Sequence, residues 1–193
     1  FVQVDVDSEE SCHAMVASTV EKFGRLDILV NNAGINIRKQ PEEYDLAEFK
    51  KVIDTNLNSA FACCQAAYPE MKKAGGGKII NIASVQTSLA RPGIAPYTAT
   101  KGAVGNLTKG MATDWAKHGL NCNAIAPGYF ATEANLPWVG DPGVTALLDS
   151  RVPLQRWGDP MEIAGAAVFL ASPAASYVNG HVLTVDGGMT ASF

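Results

Sequence analysis

Leu26-Asp27-Ile28-Leu29-Val30-Asn31-Asn32-Ala33-Gly34 joins a short apolar run to a polar turn that ends on glycine. A run of this kind, bounded by turn residues, reads as a buried strand. Before it, Asp7-Ser8-Glu9-Glu10 offers an N-cap and first-turn acids for a helix reaching about Phe23, and Gly24 stops that helix. Phe1-Val2-Gln3-Val4-Asp5-Val6 reads as an earlier buried strand. Strand, helix and strand in such close succession imply a right-handed parallel crossover.

The alternation continues outward from there. A polar loop, Ile35 to Glu43, precedes one long helical pattern from about Leu46 to Lys73, which Gly75-Gly76-Gly77 breaks. Lys78-Ile79-Ile80-Asn81-Ile82-Ala83 is the next buried strand, and a loop from Ser84 to Ala95 leads into a helix reaching about Lys117, ended by Gly119. Leu120 to Ala126 is another strand. Pro127-Gly128 follows it, with a Pro- and Gly-rich excursion to about Gly143. A short helix near Val144 to Ser150, a helix from about Pro160 to Ala171, and a strand Val182 to Val185 before Asp186-Gly187-Gly188 complete the pattern. The expected fold class is α/β, a doubly wound parallel sheet with ligands beyond the carboxyl ends of its strands. Asn31 to Gly34, Ser84 and Pro127-Gly128 all fall at such ends.

A chain of 193 residues with 47% hydrophobic and 18% charged residues suits a single domain with a sizeable core, and no repeat or linker argues for a second. The net charge of −4, without a run of Lys or Arg, excludes a nucleic-acid or anionic-membrane surface and favours a small-molecule partner. No apolar run is long enough to span a bilayer. Cys12, Cys63, Cys64 and Cys122 have neither disulfide nor metal spacing, so free thiols in the cytoplasm are expected, at least one of the adjacent pair serving as packing filler. His13, His118 and His181 are scattered, and Asp114 with His118 reads as a helix-surface pair; no metal site is expected.

Chemistry gathers around Tyr97-Thr98-Ala99-Thr100-Lys101. Pro96 suits the first turn of a helix, so Tyr97 and Lys101 stand one turn apart on one face, roughly 6 Å apart at Cβ. The bland reading is a surface i,i+4 pair. The functional one is a phenol whose pKa a neighbouring ammonium lowers, able to exchange a proton. The loop after Ser84 can bring its hydroxyl and the Tyr97 phenol onto one substrate oxygen, and Asn56 can add an amide from the preceding helix. Ser84 reads otherwise as a strand-end cap, Asn56 as a buried amide bonding backbone, Asn31 and Asn32 as turn formers, and Thr132 as an N-cap. Arg38, Arg91 and Arg156 are candidate partners for a substrate carboxylate, with Arg91 favoured because it lies just before the helix of Tyr97.

Asn31-Asn32-Ala33-Gly34, Asn56, Ser84, Tyr97-x-x-x-Lys101 and Pro127-Gly128-x-x-x-Thr132, in this order, closely resemble the short-chain dehydrogenase/reductase family, over nearly the whole chain. Within it, Ala90-Arg91-Pro92 before Ala95-Pro96-Tyr97, Val85-Gln86 after Ser84 and Gln155-Arg156-Trp157-Gly158 look most like gluconate 5-dehydrogenases, which interconvert D-gluconate and 5-keto-D-gluconate. The resemblance implies a Rossmann-type sheet, NAD or NADP, and a homodimer or homotetramer. It implies Asn56, Ser84, Tyr97 and Lys101 as catalytic residues: Tyr97 the proton-transfer group, Lys101 its pKa modulator and a contact to the nicotinamide ribose, Ser84 the holder of the substrate oxygen, Asn56 the holder of a relay water. Asp5 and Val6 would meet the adenine, Asn31, Ala33 and Gly34 the adenosine side and the sheet core, and Pro127, Gly128 and Thr132 the nicotinamide end. Ser84, Arg91 and Tyr97 would contact the substrate, a polyol or sugar acid.

The chain departs from that family at its start. The glycine-rich turn that binds the pyrophosphate has no counterpart here, since Gly75-Gly76-Gly77 lies between a helix and a strand in the wrong order. The expectation is a fold without its first βαβ segment, in a chain that begins partway through a longer protein. Two alternatives stand beside the sugar-acid reading: a reductase of 3-oxoacyl or other lipophilic carbonyl compounds, and a non-catalytic remnant with a structural or binding role. Apolar residues spread around the helices Ala47 to Met71 and Ala103 to Trp115 favour pairing of copies across a two-fold axis.

Overall fold

The computed structural model describes residues 1–192. Its sheet holds the strands β1 (Ile28–Asn31), β2 (Gly77–Ile82), β3 (Leu120–Pro127) and β4 (Val182–Val185), in that spatial order and parallel throughout. Parallel neighbours need crossovers, and helices supply them: α1 (Glu9–Phe23) before β1, α2 (Leu46–Ile53) and α3 (Ser59–Lys73) between β1 and β2, α4 (Ala95–Trp115) between β2 and β3, and α5 (Pro142–Arg151) and α6 (Met161–Ala171) between β3 and β4. The doubly wound α/β architecture expected from the alternation is the one observed.

Strand periodicity divides the core into two layers. Leu29, Ile79 and Cys122 share a register row and a face, on which Cys12 and Val16 of α1, Cys64, Ala67 and Met71 of α3, and Met111 and Ala112 of α4 close. Ile80 and Ile125 point the other way, against Leu170 and its neighbours on α6. All four cysteines are buried free thiols, and burial pushes Cys63 and Cys122 up to about 12, so they act as apolar filler. Asn31 and Asn81 are register partners on the same face. The Asn31 amide donates to Asn81 Oδ1 at 2.8 Å, and Asn81 donates to Thr108 Oγ1 of α4 at 2.9 Å. This satisfied polar row ties β1 and β2 to the helix that carries Tyr97.

Two expectations are corrected. Phe1 to Val6 is not a strand, and Phe1 and Val2 are exposed, because a strand needs a ladder partner and no described strand pairs with this segment. The long helix from Leu46 to Lys73 is interrupted by a π-turn over Asp54–Asn58. The cause is side-chain commitment: Asn56 reaches across to the backbone of Ile35, and Thr55 Oγ1 donates to Asp7 Oδ2 at 3.1 Å. At the opposite end of the sheet, the loops entering β2 and β3 touch so closely that a Cβ on Gly76, at φ +143°, would lie 2.5 Å from the Gly119 carbonyl oxygen. Only glycine fits there.

Candidate active site

The carboxyl ends of β1, β2 and β3 open into one cleft of about 850 Å³. Its walls include Gly34 and Arg38 beyond β1, Ser84 and Gln86 beyond β2, Tyr97 on α4, and Gly128 and Tyr129 beyond β3. The short turns that end parallel strands place these groups side by side although they are far apart in sequence.

Ser84 caps a 3-10 turn over Val85–Thr87, its Oγ accepting from the Gln86 N–H at 3.2 Å. The strand-end cap and the cleft-facing hydroxyl are thus one residue in both roles. Helix α4 starts at Ala95 with Pro96 in its first turn, as the proline required, and its buried stripe is Thr100, Lys101, Val104, Thr108 and Met111. A lysine in such a stripe is the anomaly. Lys101 is 5% exposed, its ammonium donates to the Ile82 carbonyl at 2.6 Å, and burial pushes its pKa down to about 8. Nζ stands 5.5 Å from the centre of the Tyr97 ring.

The expectation that Lys101 lowers the Tyr97 pKa is corrected in part. Burial holds the Tyr97 phenol above its ordinary range, and the groups that pull it back are the Ser84 hydroxyl and the Arg91 guanidinium. Asn56 is buried, with its Oδ1 accepting from the Ile35 N–H at 2.7 Å and its amide donating to the Ile35 carbonyl at 2.9 Å and to Thr100 Oγ1 at 3.2 Å. Both N–H groups of the residue expected to hold a water are therefore on protein acceptors, while Thr100 Oγ1 in turn donates to the Tyr97 carbonyl at 2.8 Å. The chain Ile35, Asn56, Thr100, Tyr97 braces the loop after β1 against the start of α4.

The three candidate cations separate. Arg91 lines the cleft and donates to the Tyr129 hydroxyl at 3.3 Å. Arg38 lines it as well, with its guanidinium 5.3 Å from the centre of the Trp138 ring. Arg156 lies elsewhere, in a bidentate pair with Glu162 at 2.7 and 2.8 Å that holds the Glu162 carboxyl down to about 2. It is a structural ion pair.

Other expected positions are spread around this centre. Asn31 belongs to the polar row of the sheet, Ala33 is an exposed turn residue beside Gly34, and Pro127 ends β3. Thr132 is exposed at the N-cap of the 3-10 segment Glu133–Trp138, without a side-chain capping bond. Asp5 is exposed, and Val6 lines a second groove of about 840 Å³ against α2 and α3, not the cleft of Tyr97. Tyr129, Trp138 and Trp157 were not singled out as contacts, yet they line the cleft. Tyr129 had a signal in its place directly after Pro127-Gly128 at a strand end; Trp138 had none, because the excursion that carries it has no periodicity.

The residues fit a nicotinamide nucleotide. The cleft is large enough for its nicotinamide half and offers the Ser84 hydroxyl, the Tyr97 phenol and the backbone of Gly34 and Gly128 at three strand ends; glycine at the last two is also required by packing, since a Cβ on Gly34 would lie 3.2 Å from Asn56 Oδ1 and one on Gly128 2.8 Å from Asp186. Among the described residues no group of His, Cys, Asp and Glu is placed to hold a metal, and no helix is long and apolar enough to cross a membrane.

Comparison with known proteins agrees with this geometry. A family described as Enoyl-(Acyl carrier protein) reductase matches residues 1–190. The gluconate 5-dehydrogenase of Gluconobacter oxydans is 53% identical over 188 residues, covering 97% of this chain and 73% of that protein. The 5-keto-D-gluconate 5-reductase of Escherichia coli is 46% identical over 185 residues, covering 96% of this chain and 73% of that protein. Among solved structures, a gluconate 5-dehydrogenase from Burkholderia cenocepacia in complex with NADP and tartrate is 46% identical with a TM-score of 0.94, covering 98% of this chain and 74% of that one.

Proposed function

Because the chain belongs to the short-chain dehydrogenase/reductase family, whose members here are NAD(P)-dependent oxidoreductases, we propose that it interconverts D-gluconate and 5-keto-D-gluconate. The observation that carries this reading is that Tyr97 and Ser84 share one cleft with two guanidinium groups, Arg38 and Arg91. A proton-transfer phenol thereby faces cations suited to a carboxylate, which a lipophilic acyl chain would leave without a partner.

In reduction, Tyr97 Oη donates its proton to the ketone oxygen, and in oxidation it takes that proton back from the alcohol. A nicotinamide cofactor, when bound, would supply the hydride in reduction and take it up in oxidation. Burial raises the pKa of a phenol that is already protonated at neutral pH, which suits the donating direction. Ser84 Oγ holds the same oxygen and stabilises charge that develops on it. Lys101, a buried cation against the Tyr97 ring, favours the phenolate once the proton has left and would bond the nicotinamide ribose. Asn56 braces Ile35 against Thr100 and so fixes the distance between the loop after β1 and Tyr97. Asp5 and Val6 are assigned to the adenine, Asn31, Ala33 and Gly34 to the adenosine side, and Pro127, Gly128 and Thr132 to the nicotinamide end. Arg91, held by the Tyr129 hydroxyl, takes the substrate carboxylate.

The assay is nicotinamide absorbance with 5-keto-D-gluconate and NADH or NADPH, and with D-gluconate in reverse. Turnover in which Arg91→Ala raises KM about tenfold or more with a small change in kcat supports the assignment. Absence of turnover on both compounds, with activity on 3-oxoacyl compounds instead, refutes it. Exposed Phe61, at 47%, and the groove it shares with Leu107 on α4 support pairing of copies as a homodimer or homotetramer. A monomer by light scattering would count against that. The buried free thiols accord with the cytoplasm.

A further inference from the structure

Gln86 is only 7% exposed, yet it lines the cleft. Its position is fixed from two sides. The backbone N–H donates to Ser84 Oγ at 3.2 Å, and the side-chain Oε1 accepts from Thr98 Oγ1 at 3.4 Å, Thr98 being the residue after Tyr97 on α4. The amide nitrogen has no acceptor among the described residues. That nitrogen is not sealed in the core, because no buried side-chain nitrogen or oxygen among the described residues lacks a partner; its free N–H groups reach the cleft that the residue lines. The amide is thus held, through Ser84 and Thr98, at the flank of the two groups that grip the reacting oxygen, with its N–H groups turned to the ligand space.

We infer that Gln86 donates to a hydroxyl on the carbon next to the reacting one, so that the site selects α-hydroxy ketones and vicinal diols over simple ketones and alcohols. This rests on the proposed reaction and adds to it. A neutral amide suits a neutral hydroxyl, whereas the charged end of the substrate has Arg38 and Arg91. A ketone without the adjacent hydroxyl leaves the amide dry and unpaired, and a site that expects a hydrogen bond rejects such an analogue more strongly than an apolar pocket rejects an extra group.

The test measures kcat/KM of the unaltered protein, Gln86→Leu and Gln86→Glu on 5-keto-D-gluconate and its 4-deoxy and 6-deoxy analogues. Both variants keep the side-chain volume; Gln86→Glu also keeps the acceptor for Thr98, and it serves if Gln86→Leu fails to fold. The expected result is a roughly tenfold loss on 5-keto-D-gluconate in each variant. One of the two deoxy analogues should lose a similar factor with the unaltered protein and nothing further with the variants. An equal loss on all three compounds, or no loss, overturns the inference. If 5-keto-D-gluconate is not turned over at all, the substrate reading fails separately. Ketones paired with their α-hydroxy counterparts then decide the role of Gln86: a preference for the hydroxy member that the variants abolish supports it, and no preference overturns it.

Discussion

The two walls of the cleft are built differently. On one side Ser84 and Tyr97 line it on elements sunk into the core: Ser84 accepts from the Gln86 N–H of its turn, and behind Tyr97 the buried Thr100 and Lys101 donate to the Tyr97 carbonyl and to the Ile82 carbonyl at the end of β2. On the other, the arm from Tyr129 to Trp157 carries Leu136 at 57% and Trp138 at 43% exposure and meets the facing cations through the hydrogen bond from Arg91 to the Tyr129 hydroxyl and the cation–π contacts of Arg91 with Tyr129 and Arg38 with Trp138. Proton transfer demands fixed distances, and the core supplies them. Choice of substrate needs only complementary chemistry, which surface residues on an arm can provide.

Tyr97→Phe should have the largest effect, because it removes the transferable proton while leaving the ring that fills the space. We expect a fall in kcat of about 10³-fold or more with an unchanged melting temperature. A parallel loss of stability would mean that the hydroxyl is structural. In the unaltered protein the raised Tyr97 pKa makes oxidation accelerate with rising pH through the alkaline range, while reduction falls there as the proton donor is lost.

Lys101→Met separates function from stability on the buried wall. With the folded pKa pushed down to about 8 from 10.5, the unfolded chain binds a proton that the folded chain does not between those values, so stability rises with pH across that window. Below it the penalty is fully present, on the order of 3 kcal/mol as an upper figure. The variant should therefore be more stable at pH 7, lose the alkaline rise in stability, and drop about 100-fold in kcat. Chemical denaturation at pH 7 and pH 10 checks the first two, and a destabilised variant would show that the ammonium is a net support of the fold.

Trp138→Ala acts on the arm and should change selection more than chemistry. Releasing the Arg38 guanidinium is expected to raise KM about three- to tenfold with kcat within about twofold, read from steady-state kinetics. A kcat loss as large as that of Lys101→Met would erase the contrast between the walls. The smallest effect belongs to Arg156→Ala, whose guanidinium is exposed and paired with Glu162 outside the cleft. Both kinetic constants should stay within about twofold.

Much of this was legible in the residues. Apolar runs alternating with capped helices gave β1 to β4, α1 and α4 nearly to the residue, because strand-length apolar runs and glycine-marked helix ends such as Gly24 at φ +79° are local signals; burial was not local, and the strand expected to be buried at β1 leaves Ile28 and Val30 exposed. Tyr97 and Lys101 were legible as a pair, since helical spacing is a local property. The sequence presented Arg38, Arg91 and Arg156 as candidate cations and favoured Arg91 for its place just before the helix of Tyr97, but nothing local separated Arg38 from Arg156.

Those distinctions belong to tertiary structure. Only the folded chain puts Arg91 against Tyr129 in the cleft, gives Arg156 to Glu162, and lets burial outweigh the Ser84 hydroxyl and the Arg91 guanidinium in raising the pKa of Tyr97. The π-turn at Asn56 arises from a contact with Ile35, twenty-one residues away, that no local propensity encodes. Secondary structure and motif spacing follow from neighbours along the chain; hydrogen-bond partners, desolvation and the open amide of Gln86 depend on residues that only three-dimensional packing brings together.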